Sequence, residues 1–131
     1  MRLIFAFPLL IFVLAAFNFV FYSGSLSLET QVTQVAMISG ALLVLTVADL
    51  LIILALFVLF LEVLKATGAG NVTIVDHIFS TGVFIMALVE FLLVPRAGNA
   101  PFLMLVIICF MDVVAGYAVT IRASRRDVSV Q

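Results

Sequence analysis

The chain has 131 residues, of which 66% are hydrophobic and only 10% charged, with a mean hydropathy of +1.44 and a formal net charge of −1. Soluble domains are about half apolar and a quarter charged, so this chain has too few charged side chains to clothe a water-soluble core of its size. There is no basic surplus to hold nucleic acid and no acidic tail. The composition therefore predicts an all-α membrane protein whose solvent is lipid.

A hydrocarbon core about 30 Å thick takes about 20 apolar helical residues to cross. Four such stretches are expected, at about residues 3–22, 38–64, 72–94 and 101–121, forming one transmembrane domain over residues 1–131. The first is read as a retained helix. A cleaved leader is the competing reading, because Met-Arg followed by an apolar run is how leaders begin, but this run exceeds a leader core of about 7 to 15 residues and no Ala-x-Ala site follows it. The second stretch is interrupted only by Asp49 and Glu62 and is long enough to cross with tilt. The third stops at Pro95, which disfavours helix in the residue before it, and the fourth starts after Pro101 and runs into Arg122, Arg125, Arg126 and Asp127. Continuous apolar runs predict helices rather than barrel strands, which alternate. The expected fold is a four-helix transmembrane bundle.

Basic residues near span ends remain on the cytoplasmic side. With alternating spans, Arg2, Lys65, Arg122, Arg125 and Arg126 fall on one side and only Arg96 on the other, so both termini are expected in the cytoplasm of a bacterial-type inner membrane.

Ionisable groups inside a membrane cost at least roughly 2.5–3.5 kcal/mol each near its centre, so each is a candidate functional residue. Counting the rise of a helix from the expected span ends puts Asp49 and Asp112 near the midplane, Glu90 and Asn18 in the outer third, and Asp76, His77 and Glu62 toward the inner surface. Residues three or four apart share a face. Asp76, Ser80, Val83, Ala87 and Glu90 thus form one small, polar stripe, Cys109, Asp112, Gly116 and Thr120 a second, and Ser39, Thr46 and Asp49 a third. Small and hydroxyl-bearing faces let helices approach and hydrogen-bond, so these stripes are expected to meet inside the bundle, with Asp49 and Asp112 facing each other. Two readings follow. The carboxyls form a ladder for protons or cations, or they join helices by hydrogen bonds while Glu62 pairs with Lys65 at i,i+3.

No nucleophile elbow, phosphate-binding loop or metal-binding His pair occurs, and a single His and a single Cys offer no zinc-type ligand set. No catalytic, cofactor or metal site is expected. Cys109, in an apolar run, reads as a small hydrophobe.

The strings Thr46-Val47-Ala48-Asp49-Leu50-Leu51, Glu62-Val63-Leu64-Lys65-Ala66-Thr67, Ile74-Val75-Asp76-His77, Val89-Glu90-Phe91-Leu92-Leu93-Val94-Pro95 and Asp112-Val113-Val114-Ala115-Gly116-Tyr117 resemble those of small, uncharacterised four-span bacterial inner-membrane proteins, over nearly the whole chain. The resemblance implies no activity, cofactor or site. Small multidrug exporters are a poor likeness, because their membrane-embedded Glu lies on the first helix, where this chain has Asn18. The sequence thus favours a non-enzymatic accessory, scaffold or self-associating protein, with membrane lipids, a second copy or another membrane protein as partners. The alternative is a small proton- or cation-coupled transporter or channel.

Overall fold

The computed structural model describes residues 7–67 and 71–130. The expected start of the first span and the Gly68–Gly70 part of the turn after Lys65 lie outside those residues. Helix α1 (Leu10–Ser23) ends at Gly24, whose φ of +74° is a left-handed value that glycine adopts without a Cβ clash. An antiparallel hairpin follows, β1 (Gln31–Ala36) paired to β2 (Leu42–Thr46), with Thr33 opposite Leu45, Val35 opposite Leu43 and Ala36 opposite Leu42. Its turn is closed by Gly40, at φ +90°, and by Met37 N–H donating to the Ala41 carbonyl at 2.8 Å. Then come α2 (Val47–Lys65), α3 (Asn71–Leu93), a 3-10 turn (Pro95–Ala97) and α4 (Ala100–Val130).

The protein is mostly helical. Three segments, Val47–Lys65, Ile74–Leu93 and Ala100–Val119, are long and apolar enough to cross a membrane; α1 is apolar but has 14 described residues.

The hairpin corrects the expected second span. Residues 38–46 continue the apolar run of α2 but are turn and strand, not helix. An apolar run alone does not distinguish helix from strand, and here the break comes from a capping box. Thr46 Oγ1 accepts from Asp49 N–H at 3.3 Å, while Asp49 Oδ2 accepts from Thr46 N–H at 2.9 Å. This reciprocal pair satisfies two backbone donors at a helix start. The structure therefore places Asp49 in the exposed first turn of α2, beside Pro101 and Met104 of α4 in an open groove, and not at the middle of a long helix. Asp112 lies eight to eleven residues further along α4, roughly 12–16 Å by helical rise. The two carboxyls do not face each other.

Contacts between helices fix their relative directions. Phe7 and Leu9, just before α1, meet Glu62 and Lys65 at the end of α2, and Lys65 also meets Asp76 near the start of α3. At the opposite end, Arg96 Nη1 donates to the Phe21 carbonyl at 2.8 Å, and its guanidinium lies 4.9 Å from the centre of the Tyr22 ring. Consecutive helices are antiparallel, with a Lys65 end and an Arg96 end. Asn99 starts α4 by accepting from Phe102 N–H at 2.8 Å. Helix α4 packs against the other three. The core between the ends includes Val13, Phe17, Ala55, Val83, Ala87, Phe102 and Leu105. Phe17 meets Phe102 edge-on with ring centres 5.6 Å apart, a favourable aromatic geometry. Most other large apolar side chains, including Phe12, Phe19, Phe57 and Phe60, point outward.

Because Thr46 and Asp49 cap an exposed helix start, Thr46→Ala or Asp49→Ala should each destabilise the protein by about 0.5–2 kcal/mol. Unfolding of each variant in mixed micelles measures this. A loss well above that range would restore a buried role for Asp49.

Candidate functional site: a buried polar cluster at the Lys65 end

The side chains that meet at the Lys65 end come from α2, α3 and α4, and they hold backbone groups of the segment just before α1. Glu62 and Lys65 are one turn apart on α2, so they share a face, and Lys65 Nζ lies 3.2 Å from Glu62 Oε1. The same ammonium reaches Asp76 Oδ1 on α3 at 3.1 Å and donates to the Phe7 carbonyl at 2.7 Å. Its three N–H donors thus go to three segments of chain. Glu62 Oε1 also accepts the Leu9 N–H at 2.7 Å. That donor belongs to the residue capping α1, which has no side-chain cap of its own. The carboxylate therefore satisfies a backbone group that the start of a helix leaves open, and it sits at the positive end of the helix dipole.

Helices α3 and α4 complete the cluster. Asp76, His77 and Ser80 of α3 and Asp112 of α4 are all buried, as is Glu62 at 1% exposure. The His77 ring lies 4.9 Å from that of Tyr117. It also fills the space where Gly116 lacks a side chain: a Cβ there would stand 2.8 Å from His77 Cε1. Thr81, one turn beyond His77, donates its hydroxyl to the His77 carbonyl at 2.9 Å. Among the described residues two buried side-chain oxygens have no hydrogen-bond partner, Glu62 Oε2 and Ser80 Oγ. Ser80 Oγ lies beside the Asp112 carboxyl on the neighbouring helix, without the geometry of a hydrogen bond to it.

The structure thus brings together Glu62, Asp76, His77 and Asp112 from the sequence candidates. Asn18 and Glu90 form a separate pair toward the Arg96 end, with Asn18 Nδ2 donating to Glu90 Oε2 at 3.1 Å and to the Leu14 carbonyl at 3.0 Å. Asp49 stands apart from both groups at the start of α2. Between the pair and the cluster, the stripe on α3 continues through Val83 and Ala87, packed against apolar neighbours. The residues of the ladder reading therefore fall into two separate polar groups, with Asp49 apart and an apolar interior between the groups. Of the stripes, that on α3 is buried from Asp76 to Ala87 and that on α4 from Cys109 to Gly116, whereas Ser39 of the third is in the hairpin turn.

Sequence reasoning undervalued Lys65, which served as an orientation marker and a partner for Glu62. Its reach to the next helix and to α1 follows from where α2 ends relative to those segments, which i,i+3 spacing does not contain. Gly116 carried a usable signal, as the smallest member of an inward stripe, but its neighbour could not be named.

Among the described residues no group of three or more His, Cys, Asp or Glu side chains is arranged to hold a metal ion. Comparison of the chain with protein-family models, curated proteins and solved structures finds no match in any of the three.

Removing one partner of a buried ion pair strands the other. Lys65→Met should therefore destabilise the protein by about 3–5 kcal/mol, and Lys65→Arg by clearly less, as measured by unfolding in mixed micelles. Gly116→Ala should cost about 1–3 kcal/mol by forcing His77 to move. Gly82→Ala, with open space around the added carbon, should be neutral or should stabilise by up to about 1 kcal/mol. Equal effects at Gly116 and Gly82 would contradict the packing of His77.

Proposed function

We propose that this chain is a non-enzymatic protein of a bacterial-type inner membrane, a four-helix transmembrane bundle with both termini in the cytoplasm, which acts through helix contacts as an accessory, scaffold or self-associating component. The observation that carries this reading is the interruption between the two polar groups. A transport path across the membrane needs polar or hydrated steps along its length, whereas Val83, Ala87, Ala55 and Leu105 separate the Lys65 cluster from the Asn18–Glu90 pair. The cluster itself joins the start of α1 to α2, α3 and α4, which is what a helix clasp does. Outward-facing apolar side chains on α2, among them Leu56, Phe57 and Phe60, offer a surface to lipid, to a second copy or to another membrane protein.

The orientation rests on Lys65 and the basic run from Arg122 at one end against Arg96 at the other. Reporter fusions after Gln131 and within Ser23 to Gln34 should read cytoplasm and exterior respectively; a periplasmic C-terminus would reverse the assignment.

For function, the wild type and the Glu62→Gln and Asp112→Asn variants are reconstituted into vesicles, and internal pH is followed under an imposed proton gradient and again under a sodium or potassium gradient. All three should stay at the background of empty vesicles. A flux that the wild type alone carries would replace this reading with a proton- or cation-coupled transporter.

A further inference from the structure

The Lys65 cluster holds more carboxyls than its described cations can match. Facing one another are Glu62 and Lys65 from α2, Asp76 and His77 from α3, and Cys109, Asp112 and Tyr117 from α4, with Leu9 N–H and the Phe7 carbonyl contributed from the segment before α1. Lys65 spends its charge on Glu62 and Asp76 together. Asp112, at 5% exposure, receives neither Lys65 nor any other described cation at ion-pair distance. An uncompensated buried carboxylate is among the costliest groups a protein can hold.

A second observation points to the same corner. Glu62 Oε2 and Ser80 Oγ are buried without a hydrogen-bond partner, Ser80 is 4% exposed, and its hydroxyl lies against Asp112. Both Glu62 and Asp76 are close enough to Asp112 for their charges to act on it. Buried polar atoms are nearly always satisfied, and each exception calls for a cause. No three or more described His, Cys, Asp or Glu side chains converge there to hold a metal ion. The ligand that needs no shell is a proton.

We propose that the Glu62–Ser80–Asp112 corner is a proton-binding site. One carboxylate of the Glu62 and Asp112 pair takes a proton from water at the Lys65 end and becomes a neutral carboxyl O–H. The cluster's negative charge falls by one, and the corner gains an O–H donor. Lys65, the partly exposed member of the clasp at 17% side-chain exposure, marks the side from which the proton enters. Glu62 also accepts the Leu9 N–H and pairs with Lys65, which holds the Phe7 carbonyl. The protonation state of the corner is thereby linked to how firmly the start of α1 is held. This is a binding site and not a path, since the interior beyond it is apolar, so it stands whether or not the chain carries protons across the membrane.

Infrared difference spectroscopy of the full chain in lipid vesicles, between acidic and alkaline buffer and in both H2O and D2O, reads the site directly. The wild type should show a deuterium-sensitive carbonyl stretch of a protonated carboxyl at neutral pH. The band should be lost in Asp112→Asn or in Glu62→Gln, should shift in frequency in Ser80→Ala, and should be unchanged in Asp49→Asn. Should the two carboxyl variants fail to fold by circular dichroism, the Ser80→Ala shift decides alone, since that variant removes only a hydroxyl. Absence of the band in the wild type overturns the proposal. So does its survival in both folded carboxyl variants, or an unmoved band in Ser80→Ala. Release of the bound proton into a pH dye on adding sodium or potassium would also overturn it, by assigning the corner to a metal cation.

Discussion

Lipid gives apolar helices little reason to leave it for one another, because a leucine side chain is as well solvated by acyl chains as by another leucine. Helix association in such a chain must come from close packing and from polar contacts that lipid cannot supply. Lys65 is where these contacts concentrate. Its ammonium reaches Glu62, Asp76 and the Phe7 carbonyl, and Glu62 in turn holds the Leu9 N–H. One side chain near the end of α2 thereby positions the beginnings of both α1 and α3. The Arg96 end uses a similar device, a guanidinium on the Phe21 carbonyl of α1, with Asn18 and Glu90 linking α1 to α3 one level in.

Small residues line the faces on which α3 and α4 meet. Ser80, Ala87 and Gly116 lie on buried faces of α3 and α4, and the missing side chain of Gly116 is what admits the His77 ring between the two helices. Away from that level, Phe17 and Phe102 fill the centre with well-oriented rings. The buried faces therefore carry small and polar residues around His77 and a mixture of small aliphatic and aromatic residues beyond it.

Reading the sequence in terms of lipid-length helices located three of the long segments and the inward faces of α3 and α4, because hydropathy and 3.6-residue periodicity are local properties of the chain. Pro95 marked the end of α3 for the same reason: it acts on its immediate neighbour. What the sequence concealed was non-local or ambiguous in kind. Residues 38–46 continue the apolar run of the helix that follows, and Val32, Thr33, Val35, Ile38, Val44 and Thr46 are the β-branched hints that this part of the chain belongs to a hairpin. The Thr46 and Asp49 pair was readable as a helix start, having the hydroxyl and acidic residue three apart that a capping box requires. Counting from Ile38 instead makes it part of a midplane stripe. That single displaced boundary moves Asp49 by roughly 13 Å of helical rise, nearly half of a bilayer core, and produces the false Asp49–Asp112 pairing. The cluster around Lys65 could not be assembled in advance, because its members are joined across helices by the way the ends align.

The hairpin boundary also says where the hydrocarbon must stop. Helix α2 has 19 residues, a rise of roughly 28 Å, which is close to the full thickness of a bilayer core. A two-stranded ribbon with free edges cannot continue into lipid, where each unpaired N–H and C=O goes unsatisfied. Once α2 is set across the membrane, β1 and β2 must therefore lie at or beyond its surface, and Thr46 and Asp49 sit at the crossing. A capping carboxylate at that level stays exposed, meets the positive end of the helix dipole, and can remain hydrated without a buried partner. The acid that sequence counting places at the middle of a long helix thus stands at the start of α2, while Glu62, Asp76 and Asp112 gather toward its other end.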